Sequence, residues 1–463
     1  MFSLCQPNGP HPVGAVTLTA PVRPSLTIGA ATLRASGEPA FRLQEVAFTA
    51  YYPADVSKEQ AKGLHWLIRP IRSSLSGFAH FTGLSAWLLW PVVYLFGAAL
   101  KIPVHPNAPL LSPESHGPSN KLKPPLRQWP LVIFSHGLCG TRTAYSQLCS
   151  QMAASGNVVL AVEHRDGTAP ACTTRTGSPN GKPGTRTILY YQDDDVVWAE
   201  NNSSDPSAFP IRVDQLVFRQ HELYLIYSAF CQLVQNGTKL AGINGEDIDL
   251  TSWSSNSPVC CEDVTLAGHS FGGCTMLSVL SSSSSGTYPA MPVSKVILYD
   301  PWLEPLPTPG PTPIASISEA TFISGPTDAS PHALESTKLR SRRPVEQMLV
   351  INSQVFTLWK DHFTRLKGVV DAWEPQGKRL LTLIESQHMH FSDIPVLPVI
   401  RTKSATKLMD LTTTLTLAFL HDTLDEALDQ LPTKPMEEKI IGMRKDGRPK
   451  RTIVGSVGDV VVH

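Results

Sequence analysis

The chain has 463 residues and carries 39 Lys and Arg against 39 Asp and Glu, a balance that gives no electrostatic footprint for nucleic acid. Hydrophobic residues make up 42% and charged ones 17%, enough apolar material for a large core and too little charge for bulk disorder. None of the eight cysteines falls in a C-x-x-C pair, which removes the common zinc and dithiol redox motifs.

The N-terminus, MFSLCQPNGPHPVG, lacks a basic stretch leading into a sustained apolar run. No secretory signal is read there, and reduced thiols in a cytoplasmic protein are expected. Alternation in FRLQEVAFTAYY predicts half-buried antiparallel strands. Residues 64–100 then form an apolar, aromatic-rich segment with no charged side chain between Arg72 and Lys101. A proline-rich loop follows at 103–130.

From there the chain alternates. WPLVIFSHG, NVVLAVEH, EDVTLAGHS, KVILYDPW and RLLTLIES read as continuous apolar strands. Between them TAYSQLCSQMAAS reads as a helix. So does VDQLVFRQHELYLIYSAFCQLVQN, with apolar positions at Leu216, Leu223, Ile226, Tyr227, Phe230 and Val234. This rhythm predicts an α/β fold with a mostly parallel central sheet and helices on both faces. SSDPSAFP and DLTSWSSNSPVCCE read as surface loops, and PWLEPLPTPGPTPI as a proline-rich excursion. One domain is expected over 1–431, followed by a loosely ordered tail at 432–463. The K-D-G-R-P-K-R run within that tail reads as solvated, with an anionic-lipid or nuclear-import patch as alternatives.

Gly268-His269-Ser270-Phe271-Gly272 satisfies G-x-S-x-G. A serine hydroxyl becomes a nucleophile only when it is exposed and a base takes its proton. A strand before the motif (VTLA) and a helix after it (GCTMLSVLSS) supply the strand–turn–helix elbow that exposes it. The bland alternative is a Gly-Ser loop, and what argues against it is the order of the partners.

In α/β-hydrolases an acid and then a histidine follow the serine. KVILYD ends a strand in Asp300, with Glu304 and Asp263 as rivals for the acid. LLTLIESQHMH supplies His388 and His390 as candidate bases. An oxyanion hole needs two donors fixed in advance. The N–H of Phe271 is one, and the N–H of Leu138, after the strand VIFSHG, is the other.

Together, VIFSHGLCGTRTAYS, VVLAVEHRDGTAP, LAGHSFGG, ILYDPW and HMHFSDIP resemble the platelet-activating-factor acetylhydrolase family, calcium-independent group VII phospholipases A2 with an α/β-hydrolase fold. The resemblance runs in order from about residue 130 to 395, with HPVGAVTL and YYP similar to the first strands. It implies Ser270 as nucleophile, Asp300 as acid, Leu138 and Phe271 as oxyanion donors, and His388 as base. The H-x-x-F-x-D pattern of His388, Phe391 and Asp393 carries the preference over His390. It also implies cleavage of short or oxidised sn-2 acyl chains from a phospholipid without metal or other cofactor. His164 in EHRDG is expected to be a hydrogen-bonded scaffold residue. The Pro after Asp300 and the basic tail depart from the family pattern.

The family carries a similar aromatic-rich segment, so residues 64–100 read as an interfacial patch touching a lipid surface, with buried helices or a bilayer span as alternatives. A carboxylesterase or polyesterase with the same triad and an inert hydrolase-fold binding protein are the competing functions. The sequence assigns no oligomeric state.

Overall fold

The computed structural model describes residues 2–56, 61–113, 128–176, 184–198, 209–281, 288–308, 310–311, 347–373 and 379–463. Strands β1 (Val13–Thr27) and β2 (Arg42–Pro53) pair antiparallel from Val13↔Pro53 onward. The remaining strands of the central sheet are β3 (Trp129–Ser135), β4 (Val158–Glu163), β5 (Val259–His269), β6 (Val293–Tyr299), β7 (Gln347–Ser353) and β8 (Leu380–Leu383). Near the C-terminus β9 (Glu438–Met443) and β10 (Pro449–Ile453) form a separate hairpin, and β11 (Val460–Val462) returns to the sheet.

The sheet order is β1-β2-β4-β3-β5-β6-β7-β8-β11, with short pairings at each edge. From β4 to β8 every pairing is parallel, and β2 and β11 close the two sides antiparallel. The order reverses at β3, which has β4 on one side and β5 on the other. Open α/β sheets bind ligands outside the carboxyl ends of the strands at such a switch point.

Seven helices matter for the site: α1 (Ile71–Thr82), α2 (Ala86–Val92), α3 (Ser146–Ala154), α4 (Pro210–Asn236), α5 (Phe271–Ser281), α6 (Lys360–Trp373) and α7 (Lys403–Leu420). Successive strand residues point to opposite faces, so β3 feeds two cores. Leu131 and Ile133 pack with Phe218 and Phe230 of α4 and Leu277 of α5. Val132 and Phe134 pack with Leu148 of α3 and Leu415 of α7. Burial on both faces explains why these strands read as unbroken apolar runs.

Two expectations need correction. Residues 432–463 are not a loosely ordered tail: Val460 and Val461 are buried, and β11 pairs with β8 from Leu381↔Val462 to Leu383↔Val460. The domain therefore extends past 431. DLTSWSSNSPVCCE is not simply a surface loop, because Trp253 is buried in a short helix and β5 begins at Val259. Strand β7, which the sequence reading passed over, completes the parallel set. Of SSDPSAFP, residues 203–208 lie outside the described residues, and of PWLEPLPTPGPTPI, residues 309 and 312–314 do.

Segment 64–100 is a closed excursion, since Leu64 and His65 pair antiparallel with Ile102 and Lys101. It holds α1, α2 with Pro91 inside it, and a π-helical turn at Val93–Gly97. Among the described residues no helix is long and apolar enough to cross a membrane. Trp87 is 73% exposed, and Leu84, Leu88, Trp90 and Leu95 are exposed beside it.

Candidate active site

Strand β5 ends at His269, and α5 starts at Phe271, so Ser270 alone makes the turn. Its φ of 57° is left-handed, an unfavourable conformation for a side-chain-bearing residue. The turn is held by Ser270 N–H donating to Tyr299 O at 2.9 Å and by Ser270 O accepting from Cys274 N and Trp302 N. Close packing of the arms demands small residues: a Cβ at Gly272 would lie 2.1 Å from Ser135 O.

Asp300, also at positive φ (43°), ends β6. The following Pro301 does not displace it; the chain turns so that Trp302 N–H reaches Ser270 O at 3.1 Å. Asp300 is fully buried. Its Oδ1 accepts from Ser353 N at 2.6 Å, and its Oδ2 accepts from Ser353 Oγ at 2.5 Å and from His388 Nδ1 at 2.9 Å. With Nδ1–H donated to Asp300, His388 presents the Nε2 lone pair to the crevice. The imidazole is sandwiched, with Phe356 parallel on it (centroids 4.4 Å, 4°) and His269 at 4.4 Å and 36°. No hydrogen bond joins Ser270 Oγ to His388 among the described residues.

His390 is not part of this cluster: its Nδ1 accepts from Gln387 N at 2.8 Å and caps a short 3-10 turn. Asp263 lies within β5, six residues before His269, and is bonded to Ser294. Glu304 lies beyond the turn, and no hydrogen bond joins it to His388 among the described residues.

The Leu138 loop meets the elbow directly. A Cβ on Gly137 would sit 2.9 Å from the Ser270 Cβ, so only glycine lets the Leu138 amide come alongside the serine. Gly137 N–H donates to Tyr145 Oη at 3.2 Å, Tyr145 Oη lies 2.8 Å from His269 Nδ1, and His269 Nε2 lies 3.0 Å from the His388 carbonyl. The carbonyl can only accept, so His269 carries its proton on Nε2 and takes the Tyr145 hydroxyl on Nδ1. Burial holds His269 neutral, well below the usual histidine pKa. Three loops are thereby joined through one neutral ring.

Asp393 supports the base loop from below. It accepts from Ser146 N, Ser146 Oγ and Gln147 N, capping α3, and from Trp66 Nε1 at 2.9 Å. Burial lifts its carboxyl to about 6 against the pull of these donors.

The EHRDG stretch builds the floor. His164 is fully buried, with Nδ1 at 2.7 Å from Glu222 Oε2 and Nε2 at 2.7 Å from Ser135 Oγ. Asp166 binds Arg219 Nε at 2.7 Å. Arg219, also fully buried, donates from Nη1 to His136 O at 2.8 Å and from Nη2 to Thr168 Oγ1. Cys139 N–H donates to Thr168 O at 2.7 Å, so the Leu138 loop is gripped on both sides.

His269, Asp300 and His388 bring possible metal-ligand atoms within 4.8 Å of one another. Both nitrogens of His269, both oxygens of Asp300 and Nδ1 of His388 are already engaged in hydrogen bonds. What the set leaves open is one basic nitrogen, which suits proton transfer better than ion binding.

Sequence reasoning missed Ser353, Phe356, Tyr145, His269 as a connector, and Arg219. Ser353 ends and Phe356 follows the overlooked strand QMLVINS, a continuous apolar run that could have been read as one.

The family model described as "Platelet-activating factor acetylhydrolase, isoform II" matches residues 2–311. A Schizosaccharomyces pombe protein named "Putative phospholipase A2" is 27% identical over 311 residues, 64% of each chain. A Bos taurus platelet-activating factor acetylhydrolase is 27% identical over 239 residues, 50% of this chain and 46% of its own. The match thus spans less than two thirds of these relatives' length. A ferulic acid esterase from Streptomyces cinnamoneus shares the fold, with TM-score 0.51, 17% identity and coverage of 92% and 93% of the two chains.

Proposed function

We propose that this chain, which belongs to the platelet-activating factor acetylhydrolase, isoform II family, is a serine hydrolase that cleaves the sn-2 ester of phospholipids with short or oxidised acyl chains. The observation that carries the reading is the seating of His388 Nδ1 on buried Asp300, one ring-stack away from a serine held at positive φ on an elbow.

In this mechanism His388 Nε2 takes the proton as Ser270 Oγ attacks the ester carbonyl. Leu138 and Phe271 N–H groups meet the developing oxyanion. Asp300 stabilises the imidazolium, which then protonates the departing lysophospholipid oxygen. Water, activated by the same nitrogen, releases the acid. Backbone donors and one imidazole carry every step.

The exposed Trp87, Trp90 and Leu95 support contact of the 64–100 segment with a lipid surface, its apolar side chains entering the headgroup layer. Trp66, at the root of that segment, donates to Asp393, five residues beyond His388, which ties the segment's base to the loop of the proposed base.

The test is a substrate panel with chelator present: an acetyl-phospholipid, a long-chain phospholipid and a simple aryl ester. Turnover of the acetyl-phospholipid is expected to exceed that of the long-chain lipid. Cleavage of the aryl ester alone would favour a carboxylesterase or polyesterase of the same fold. Failure of the folded protein to take a fluorophosphonate label that Ser270→Ala abolishes would leave an inert binding scaffold.

A further inference from the structure

We propose that the β9–β10 hairpin is a docking arm for bilayers bearing anionic phospholipids. The inference goes beyond the hydrolase reading and stands without it, since it concerns binding alone.

The arm is an unusual object on a chain of zero formal net charge. Residues 439–451 hold Lys439, Arg444, Lys445, Arg448, Lys450 and Arg451 against Asp446 alone. Arg451 is paired to Glu438 at 2.6 Å, while Lys439, Arg444, Lys445 and Lys450 make no ion pair among the described residues. Interleaved with this charge are Ile440, Ile441 and Met443, exposed by 58%, 52% and 67%. A two-stranded hairpin gains little stability from its own contacts in water, and here it leaves those apolar groups uncovered.

An Asp446-Gly447 turn, with Gly447 at φ 77°, tips the arm with positive charge. Its base is anchored: Ile453 packs with Ile384 and Val461. Thr452 Oγ1 accepts from Gln354 Nε2 at 3.1 Å, and Gln354 Oε1 accepts from Glu385 N at 3.2 Å. Gln354 follows Ser353, the donor to Asp300, so the arm springs from the carboxyl ends of β7 and β8, on the site's side of the sheet.

Clustered basic groups alone would suit any polyanion. Three large apolar side chains among them favour a surface that is both negatively charged and able to receive hydrocarbon, which is an anionic bilayer. Each basic residue near such a surface contributes about fivefold in affinity, and the effect fades with salt.

The experiment is sedimentation of the full chain with vesicles of phosphatidylcholine alone or with about a third phosphatidylserine, at low and high salt. Anionic vesicles should bind at least about 10-fold more tightly, with the difference collapsing at high salt. Joint replacement of Lys439, Arg444, Lys445 and Lys450 by Gln should remove that difference and leave turnover of a soluble aryl ester unchanged. Ile440→Ser with Met443→Ser should weaken binding to the anionic vesicles further. A Trp87→Ser/Leu95→Ser variant separates the two surfaces: it should lose binding to pure phosphatidylcholine and keep the anionic enhancement. Unchanged anionic enhancement in the four-Gln variant would overturn the proposal. So would salt-dependent binding to duplex DNA with no preference for anionic vesicles, or a self-association of the chain that the two Ser substitutions abolish without affecting vesicles.

Discussion

The guanidinium of Arg219 lies 4.5 Å over the ring of Phe271 while its Nη1 donates to the carbonyl of His136 at 2.8 Å. One buried side chain therefore touches the segments that carry both proposed oxyanion donors. Arg219→Met should lower kcat about 10- to 100-fold with little change in KM, because donors misplaced by a fraction of an ångström weaken only the transition state. It also leaves Asp166 buried without its partner, so unfolding in urea should show a loss of about 3–5 kcal/mol. Wild-type kcat in the folded variant would dissociate Arg219 from the hole.

Ser353 offers a cleaner measure of the acid. Its hydroxyl donates to Asp300 Oδ2 at 2.5 Å, beside His388. Hydrogen bonds to charged groups contribute about 1.5–3 kcal/mol. Ser353→Ala should therefore reduce kcat/KM roughly 10- to 100-fold. Steady-state kinetics at a fixed pH near neutrality would detect the loss.

The two neighbouring histidines should behave differently. His388→Ala removes the ring that faces Asp300, and turnover should fall by about 10⁴-fold or more. His390→Ala loses a local cap on Gln387, and activity should fall by less than about 10-fold. A dead His390 variant beside an active His388 variant would reverse the assignment of the base.

Stability should decline on acidification. Burial pushes His136 down to about 3 and His362 and His463 down to about 4, against about 6.5 in the unfolded chain. Below 6.5 the unfolded state takes up protons that the folded state refuses, so stability present above that pH is lost as it falls toward the folded values. Asp393, lifted to about 6, acts in the opposite sense, since the folded state binds its proton first. Three depressed histidines outweigh it, and Tm should drop between pH 6.5 and 4. His463→Gln should flatten that slope by about one proton and leave Tm above pH 7 nearly unchanged.

How much of this was legible depended on what kind of contact was involved. The parallel strands announced themselves because burial on both faces forces continuous apolar runs, as in Leu131–Phe134. Ser270, Asp300 and His388 could be proposed because Ser270 and Asp300 sit where apolar runs stop and His388 follows soon after a third, and the structure brings Asp300 and His388 together. Tyr145, His269 and Arg219 were not, since their roles come from hydrogen bonds between positions as remote as 145 and 269, which no local period records. The C-terminal hairpin was misread as part of a loosely ordered tail on its change of composition, although Asp446-Gly447 between two short β-prone runs is a hairpin signal.

The bond from Trp66 Nε1 to Asp393 Oδ2 has a mechanical consequence. A carboxylate that steadies the start of α3 is also held by the root of the outermost aromatic segment, and it sits five residues from His388. A shift of that segment would reach the His388 imidazole along a single covalent stretch. Equilibrium coupling between two such ends acts equally in both directions, so whatever free energy the outer segment lends to the imidazole would be returned when an occupant of the crevice orders it.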